Sequence, residues 1–152
     1  MEILTGPSAI DFYLEKWYEQ EVFVQLHHQG QFVTQFLMLL DDTELGHDYD
    51  NMPADDPNDD HDGWTDRQWD LYTNSLSLHG ENLELTVGQY ADQSITIPFS
   101  DPDTEAVIDG DSIEIRATPW VLYAQKVREP VKRSLTKEIN KMLEQHRIIQ
   151  NN

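Results

Sequence analysis

The sequence predicts an α+β domain: an antiparallel, strongly bent sheet or partly open small β-barrel, with one N-terminal and one C-terminal helix. Three observations predict it. Short runs in the middle of the chain alternate apolar and polar residues, the period-two signature of half-buried strands. Turn-forming residues separate these runs at close intervals, as hairpins require. Both ends of the chain instead repeat their apolar residues at three- and four-residue steps, the helical period. With 152 residues there is room for one domain, 1–152, and hardly for two.

Ser8 reads as the cap of the N-terminal helix, with Asp11 three residues on. Ile10, Tyr13, Leu14 and Trp17 give that helix one apolar face to about Gln20. Glu21–Leu26 then alternates, with Val22, Val24 and Leu26 on one side. His27, His28, Gln29 and Gly30 supply a turn, and Gln31–Leu40 returns. From Phe36 to Leu40 the return strand is continuously apolar, as expected where both faces are covered.

Residues 41–64 lose the pattern and read as a long, flexible acidic loop, in which Pro53 and Pro57 oppose any regular element. Thr65 with Gln68 forms a second capping-box pattern ahead of Trp69 and Tyr72. Leu76 and Leu78 lead into an expected turn at His79, Gly80, Glu81 and Asn82, and Leu83, Leu85 and Val87 lead out. Ser94–Phe99 follows, broken by Pro98, and Ala106–Ile108 turns at Asp109, Gly110 and Asp111 into Ser112–Ala117. Pro119 ends that strand and Trp120–Tyr123 adds a short last one. A basic amphipathic helix is expected at about 129–148, with Val131, Leu135, Ile139, Met142, His146 and Ile149 on one stripe. Six or seven short strands at hairpin spacing give the sheet an SH3-like or Sm-like outline. That likeness is one of strand count and carries no function.

Charge is the loudest feature: 29 acidic against 10 basic residues, a formal net charge of −19. Only Lys16, Arg67 and Arg116 precede residue 126; every other base lies in 126–152, beside Glu129, Glu138 and Glu144. A field of this sign repels DNA, RNA and anionic membrane, and attracts basic protein surfaces or cations. The expected partner is therefore a basic protein surface, with neither direct nucleic-acid binding nor membrane binding. The absence of cysteine removes disulfides, thiolate metal sites and cysteine nucleophiles. Met1-Glu2-Ile3-Leu4 offers no basic start or apolar signal core, and Phe36 to Leu40, the longest apolar run, is far too short for a bilayer. The expected compartment is the cytoplasm.

No catalytic residue is assigned, and a non-enzymatic chain is expected. Carboxylate pairs can be drawn almost anywhere, but acid–base work needs one carboxyl held in an apolar pocket. Glu84 and Glu114 fall on the polar side of their strands. The histidines are scattered, without the i, i+4 helical pair of a metalloprotease. One local pattern points to a metal. Asn58, Asp60, Asp62 and Asp66, with Gly63 and the Trp64 carbonyl, reproduce the front half of a calcium loop. Trp69 stands where the bidentate Glu belongs, and Pro57 opposes the entering helix.

The carboxylates on strands and turns form the expected partner-binding set: Glu81, Glu84, Asp101, Asp103, Glu105, Asp109, Asp111 and Glu114. Trp64, at the rim of the acidic loop, joins them as an aromatic anchor. In composition the chain resembles the acidic DNA-mimic inhibitors of phages and mobile elements. The resemblance implies an inhibitor that occupies the nucleic-acid groove of a DNA- or RNA-binding enzyme. Two alternatives remain open. One is an adaptor or assembly subunit docking through the C-terminal helix or a barrel edge, a homodimer included; the other is a Ca²⁺-binding module built on residues 58–66.

Overall fold

Backbone donors and acceptors along buried period-two runs must be paired, and in this chain they pair into one antiparallel sheet. The computed structural model describes residues 1–52, 63–83 and 92–127. Its elements are β1 (Glu2–Thr5), α1 (Pro7–Leu14), a 3-10 turn (Glu15–Trp17), β2 (Glu21–His28), β3 (Gln31–His47), a second 3-10 turn (Tyr49–Asn51), α2 (Asp66–Asp70), β4 (Thr73–Asn82), β5 (Asp92–Pro98), β6 (Glu105–Asp109), β7 (Ser112–Ala117) and β8 (Trp120–Lys126). The strand order is β1-β6-β7-β8-β2-β3-β4-β5, and the sheet is not closed. An α+β chain on a bent antiparallel sheet is thus what forms, with eight strands among the described residues. The extra strand is β1, too short to show a period, which pairs with β6. The helix expected at about 129–148 lies outside the described residues.

The bend originates in β3. Its first half pairs with β2 and its second with β4, and the register shifts between Leu40 and Asp42. An extra residue in one strand leaves the ladder locally unpaired and bends that strand. The strand therefore continues to His47, so 41–47 of the expected acidic loop is corrected to strand, and 53–62 of that expected loop lies outside the described residues. The cause of the misreading is chemical. Beyond the bulge the buried inward position is Thr43, a polar residue, so alternation disappears from the sequence. Thr43 is satisfied at long range: its hydroxyl donates to Asp11 Oδ1 at 2.6 Å, and its N–H donates to the Tyr18 hydroxyl at 3.1 Å.

A second correction falls on the turn expected at His79–Asn82, which lies within β4. Gly80 is needed there for close approach rather than reversal. A Cβ at Gly80 would run into the Leu39 carbonyl of β3 and come within 2.8 Å of Met38 Cε. The turn between β2 and β3 forms where expected and tightens to two residues. Gln29 and Gly30 both have positive φ, at 51° and 77°, as a type I′ hairpin requires.

One face of the sheet holds the core. Val22, Val24, Met38, Leu40, Leu76 and Ile97 are fully buried there, and the sheet curls until β5 meets β8. α1 closes this core with Ile10 and Leu14, and the 3-10 turn after it adds Trp17; all three are at most 1% exposed. Each contributes about 1.5–3 kcal/mol of burial. Ser8 is not the cap of α1, which is a third correction. The cap position is Gly6, at φ 97°, and it has no side chain to offer. Asp70 of α2 supplies the missing acceptor: its Oδ1 receives the Ser8 N–H at 2.9 Å and the Ser8 hydroxyl at 2.6 Å.

Candidate functional site

The carboxylates selected from the sequence do not form one surface. Glu81 sits in β4 opposite Asp92 of β5. Glu114 lies mid-strand on the outward face of the sheet, bonded to the Arg116 guanidinium. It also accepts from the neighbouring Tyr123 hydroxyl; that hydrogen bond, then burial and the carboxylate charge, raise the tyrosine above its ordinary value of 10.0. Asp109 and Asp111 sit at one end of the β6–β7 hairpin, while Glu105 marks the other. Glu84 and the calcium candidates Asn58, Asp60 and Asp62 lie outside the described residues. Asp66 is the first residue of α2, just after its capping residue Thr65. Among the described residues no group of three or more His, Asp or Glu side chains is arranged to hold a metal ion.

What the fold does bring together is Asp101, Asp103 and Glu105 with the α2 segment. The β5–β6 connection is pinned by its own polar groups. The Asp103 N–H donates to Asp101 Oδ1 at 2.8 Å, the Thr104 hydroxyl to the Asp101 carbonyl at 2.7 Å, and the Gly6 N–H to the Thr104 carbonyl at 2.8 Å. Thr104 is buried, so these carboxylates are presented from a fixed frame. Arg67 of α2 reaches across to Asp103 at 2.6 Å, both side chains more than half exposed. Such a pair is worth at most about 1 kcal/mol. Its value here is to dock α2 beside the connection.

Two shallow clefts flank Asp101. One, of about 320 Å³, lies between Asp101, Asp103, Glu105 and Arg116. The other, of about 300 Å³, runs past Asp48, Asp70, Tyr72 and Phe99. Asp48 and Asp70 were missed from sequence because only the tertiary fold carries them to Asp101.

The aromatic anchor expected at Trp64 has company. Trp64 packs edge-on against Trp69 at 5.3 Å and tilted against Tyr72 at 5.6 Å, and Trp69 meets His47 at 4.9 Å. The capping box predicted at Thr65 and Gln68 forms and fixes α2 within this cluster: the Gln68 N–H donates to the Thr65 hydroxyl, and the Thr65 N–H to Gln68 Oε1. Burial among these rings lowers the pKa of His47 below 6.5, while the Asp70 charge pulls it back up. Trp64 is half-buried and Tyr49 beside His47 is exposed, so the cluster has a wet side next to the acidic clefts.

Basic groups are scarce in this frame. Arg67 faces Asp103, Arg116 faces Glu114, and Lys126 lies 3.5 Å from Asp111 and over the Trp17 ring; Lys16 lies over Tyr13. These are the only lysines and arginines among the described residues. No helix among them is long and apolar enough to cross a membrane. No protein-family model matches the chain, and no curated protein or solved structure matches it either.

Proposed function

We propose that this chain is a non-catalytic, acidic binding module for a basic protein surface. The observation that carries the reading is the end of the fold around Asp101. Asp48, Asp101, Asp103 and Glu105 stand there on pinned backbone beside an aromatic cluster, while the bases in the same frame are already engaged. Lysine and arginine side chains of a partner fit such a surface twice over. Their charge meets carboxylates, and their flat or methylene portions pack on Trp64, Trp69 and Tyr72. Fixed carboxylates lose little entropy on binding, so more of the contact energy is retained as affinity. The sharper form of the proposal is a nucleic-acid mimic that occupies the groove of a DNA- or RNA-binding enzyme.

The test is affinity capture with the tagged full-length chain at low salt, followed by a salt-step elution and mass spectrometry. The reading expects basic proteins released by salt and absent when Asp101→Asn, Asp103→Asn and Glu105→Gln are combined. Competition of the captured protein with DNA or RNA supports the mimic form, and capture unaffected by nucleic acid removes it. Partners held equally at all salt concentrations, and equally by the triple variant, overturn the proposal.

A further inference from the structure

The outward face of the sheet, opposite the core, carries a hollow that shares no lining residue with the clefts around Asp101. Strand register sets Val107, Glu114, Tyr123 and Gln25 side by side across β6, β7, β8 and β2. The next row is Asp109, Ser112, Gln125 and Phe23. Between the rows the face sinks into a concavity of about 520 Å³. Phe23, Val107 and the Tyr123 ring wall it, and Asp109, Ser112 and Glu114 stand at its rim. Sites for small organic ligands have this make-up: about 300–1,000 Å³, apolar walls and a few fixed polar groups.

The charge at the rim selects the ligand. The Glu114 side chain is 24% exposed, and its carboxylate accepts from Arg116 Nε and from the Tyr123 hydroxyl, so it is held at the edge of the hollow. A carboxylate has about four lone-pair sites, and these two bonds leave room for a further donor. Asp109, exposed beside the β6–β7 turn, adds a second negative charge to the same hollow. Arg116 stands one row away, between Glu105 and Val121, and Lys126 lies by Asp111 and over the Trp17 ring. Two carboxylates against one guanidinium leave the hollow negative, in a chain of net charge −19. The faces of Phe23 and Tyr123 attract a cation as well. A second copy of the chain would bring the same carboxylates and the same net charge to this face, and an anionic ligand would meet Glu114 and Asp109 directly. We propose that the hollow binds a small aromatic cation, its rings between Phe23, Val107 and Tyr123 and its ammonium group at the rim by Glu114 and Asp109.

A matched set of probes tests this on the full-length protein without any partner. Naphthylmethylamine, naphthylmethanol and naphthylacetate join one ring system to a positive, a neutral and a negative head, and propylamine carries the charge without the rings. Each is titrated at neutral pH while backbone amide shifts are followed by NMR. The expected result is saturable shifts at Phe23, Val107, Tyr123 and Gln125 with naphthylmethylamine. The alcohol should bind about tenfold more weakly, for want of one charge-assisted contact, and naphthylacetate and propylamine should give no saturable shifts. Glu114→Gln should weaken the amine about tenfold and leave the alcohol unchanged. Val107→Lys, which puts a cation in the hollow, should abolish binding of the amine. If that variant fails to melt cooperatively, Glu114→Gln alone decides. Asp101→Asn combined with Asp103→Asn should bind the amine like the parent, which separates this site from the acidic end. No saturable shifts with the amine, equal affinity for all three naphthyl probes, or shifts centred on Trp64 and Asp101 would overturn the proposal. A dimer in the parent that Val107→Lys converts to monomer would assign the face to a second copy and overturn it too.

Discussion

Replacing Asp70 by alanine removes the group that stands in for the missing cap of α1. Asp70 is only 6% exposed, and its Oδ1 receives both the Ser8 N–H and the Ser8 hydroxyl. A hydrogen bond to a charged acceptor contributes about 1.5–3 kcal/mol, and loss of a helix cap costs about 0.5–2 kcal/mol. Ser8 is partly buried, so water recovers some of the loss, and the expected cost is about 2 kcal/mol. For a chain of this size that lowers Tm by about 4–8 °C. Asp70→Asn keeps an acceptor oxygen and removes one negative charge from the neighbourhood of Asp48 and Asp101. Its expected cost is below about 1 kcal/mol. Thermal and urea unfolding of both variants measure these values, with Ser8→Ala closing a double-mutant cycle. If Asp70→Ala unfolds within about 0.5 kcal/mol of the parent, the capping role is wrong. If the asparagine variant loses as much as the alanine variant, charge rather than hydrogen bonding is what Asp70 contributes.

Three further outcomes follow from the fold and the site. Gly80→Ala should cost about 1–3 kcal/mol in urea unfolding, because its Cβ meets the Leu39 carbonyl across the β3–β4 ladder, and an unchanged midpoint would contradict that approach. His47 binds its proton less readily in the folded chain than in the unfolded one, so its contribution to stability is full above about pH 6.5 and falls as pH drops through its lowered folded value. His47→Gln should flatten the stability–pH curve on the acid side of the ordinary histidine value of 6.5, and a curve of unchanged slope would refute the assignment. Trp64→Ala should weaken binding of a basic partner more than the conservative Trp64→Phe does, and equal loss in both would argue against ring packing on the partner's cations.

Much of the fold was legible because its inward positions are apolar. The alternation in Val22, Val24 and Leu26, and again in Ile113 and Ile115, located strands that pair as expected. Legibility failed where an inward or paired position is filled by something other than a hydrophobe. Thr43 hid the second half of β3, and Gly80 suggested a turn where two backbones meet. The cap of α1 comes from 62 residues away and leaves no local signal. The candidate site divides in the same manner. Asp101, Asp103 and Trp64 could be chosen from composition and position in the sequence. Their convergence with Asp48 and Asp70 needed the β5–β6 connection docked against α2, a tertiary fact. Spreading the choice to Asp109, Asp111 and Glu114 treated one charge field as one surface, whereas the hairpin separates its two ends.

The carboxylates around Asp101 are proposed to bind a basic partner. The most direct test is the salt dependence of affinity for the captured partner, compared between two neutralised variants. One combines Asp101→Asn with Asp103→Asn; the other combines Asp109→Asn with Asp111→Asn at the far end of the hairpin. Log Kd should rise steeply with log salt for the parent, and the Asp101/Asp103 variant should bind more weakly with a flatter slope. The Asp109/Asp111 variant should follow the parent. Equal slopes and affinities for all three proteins would contradict the proposal.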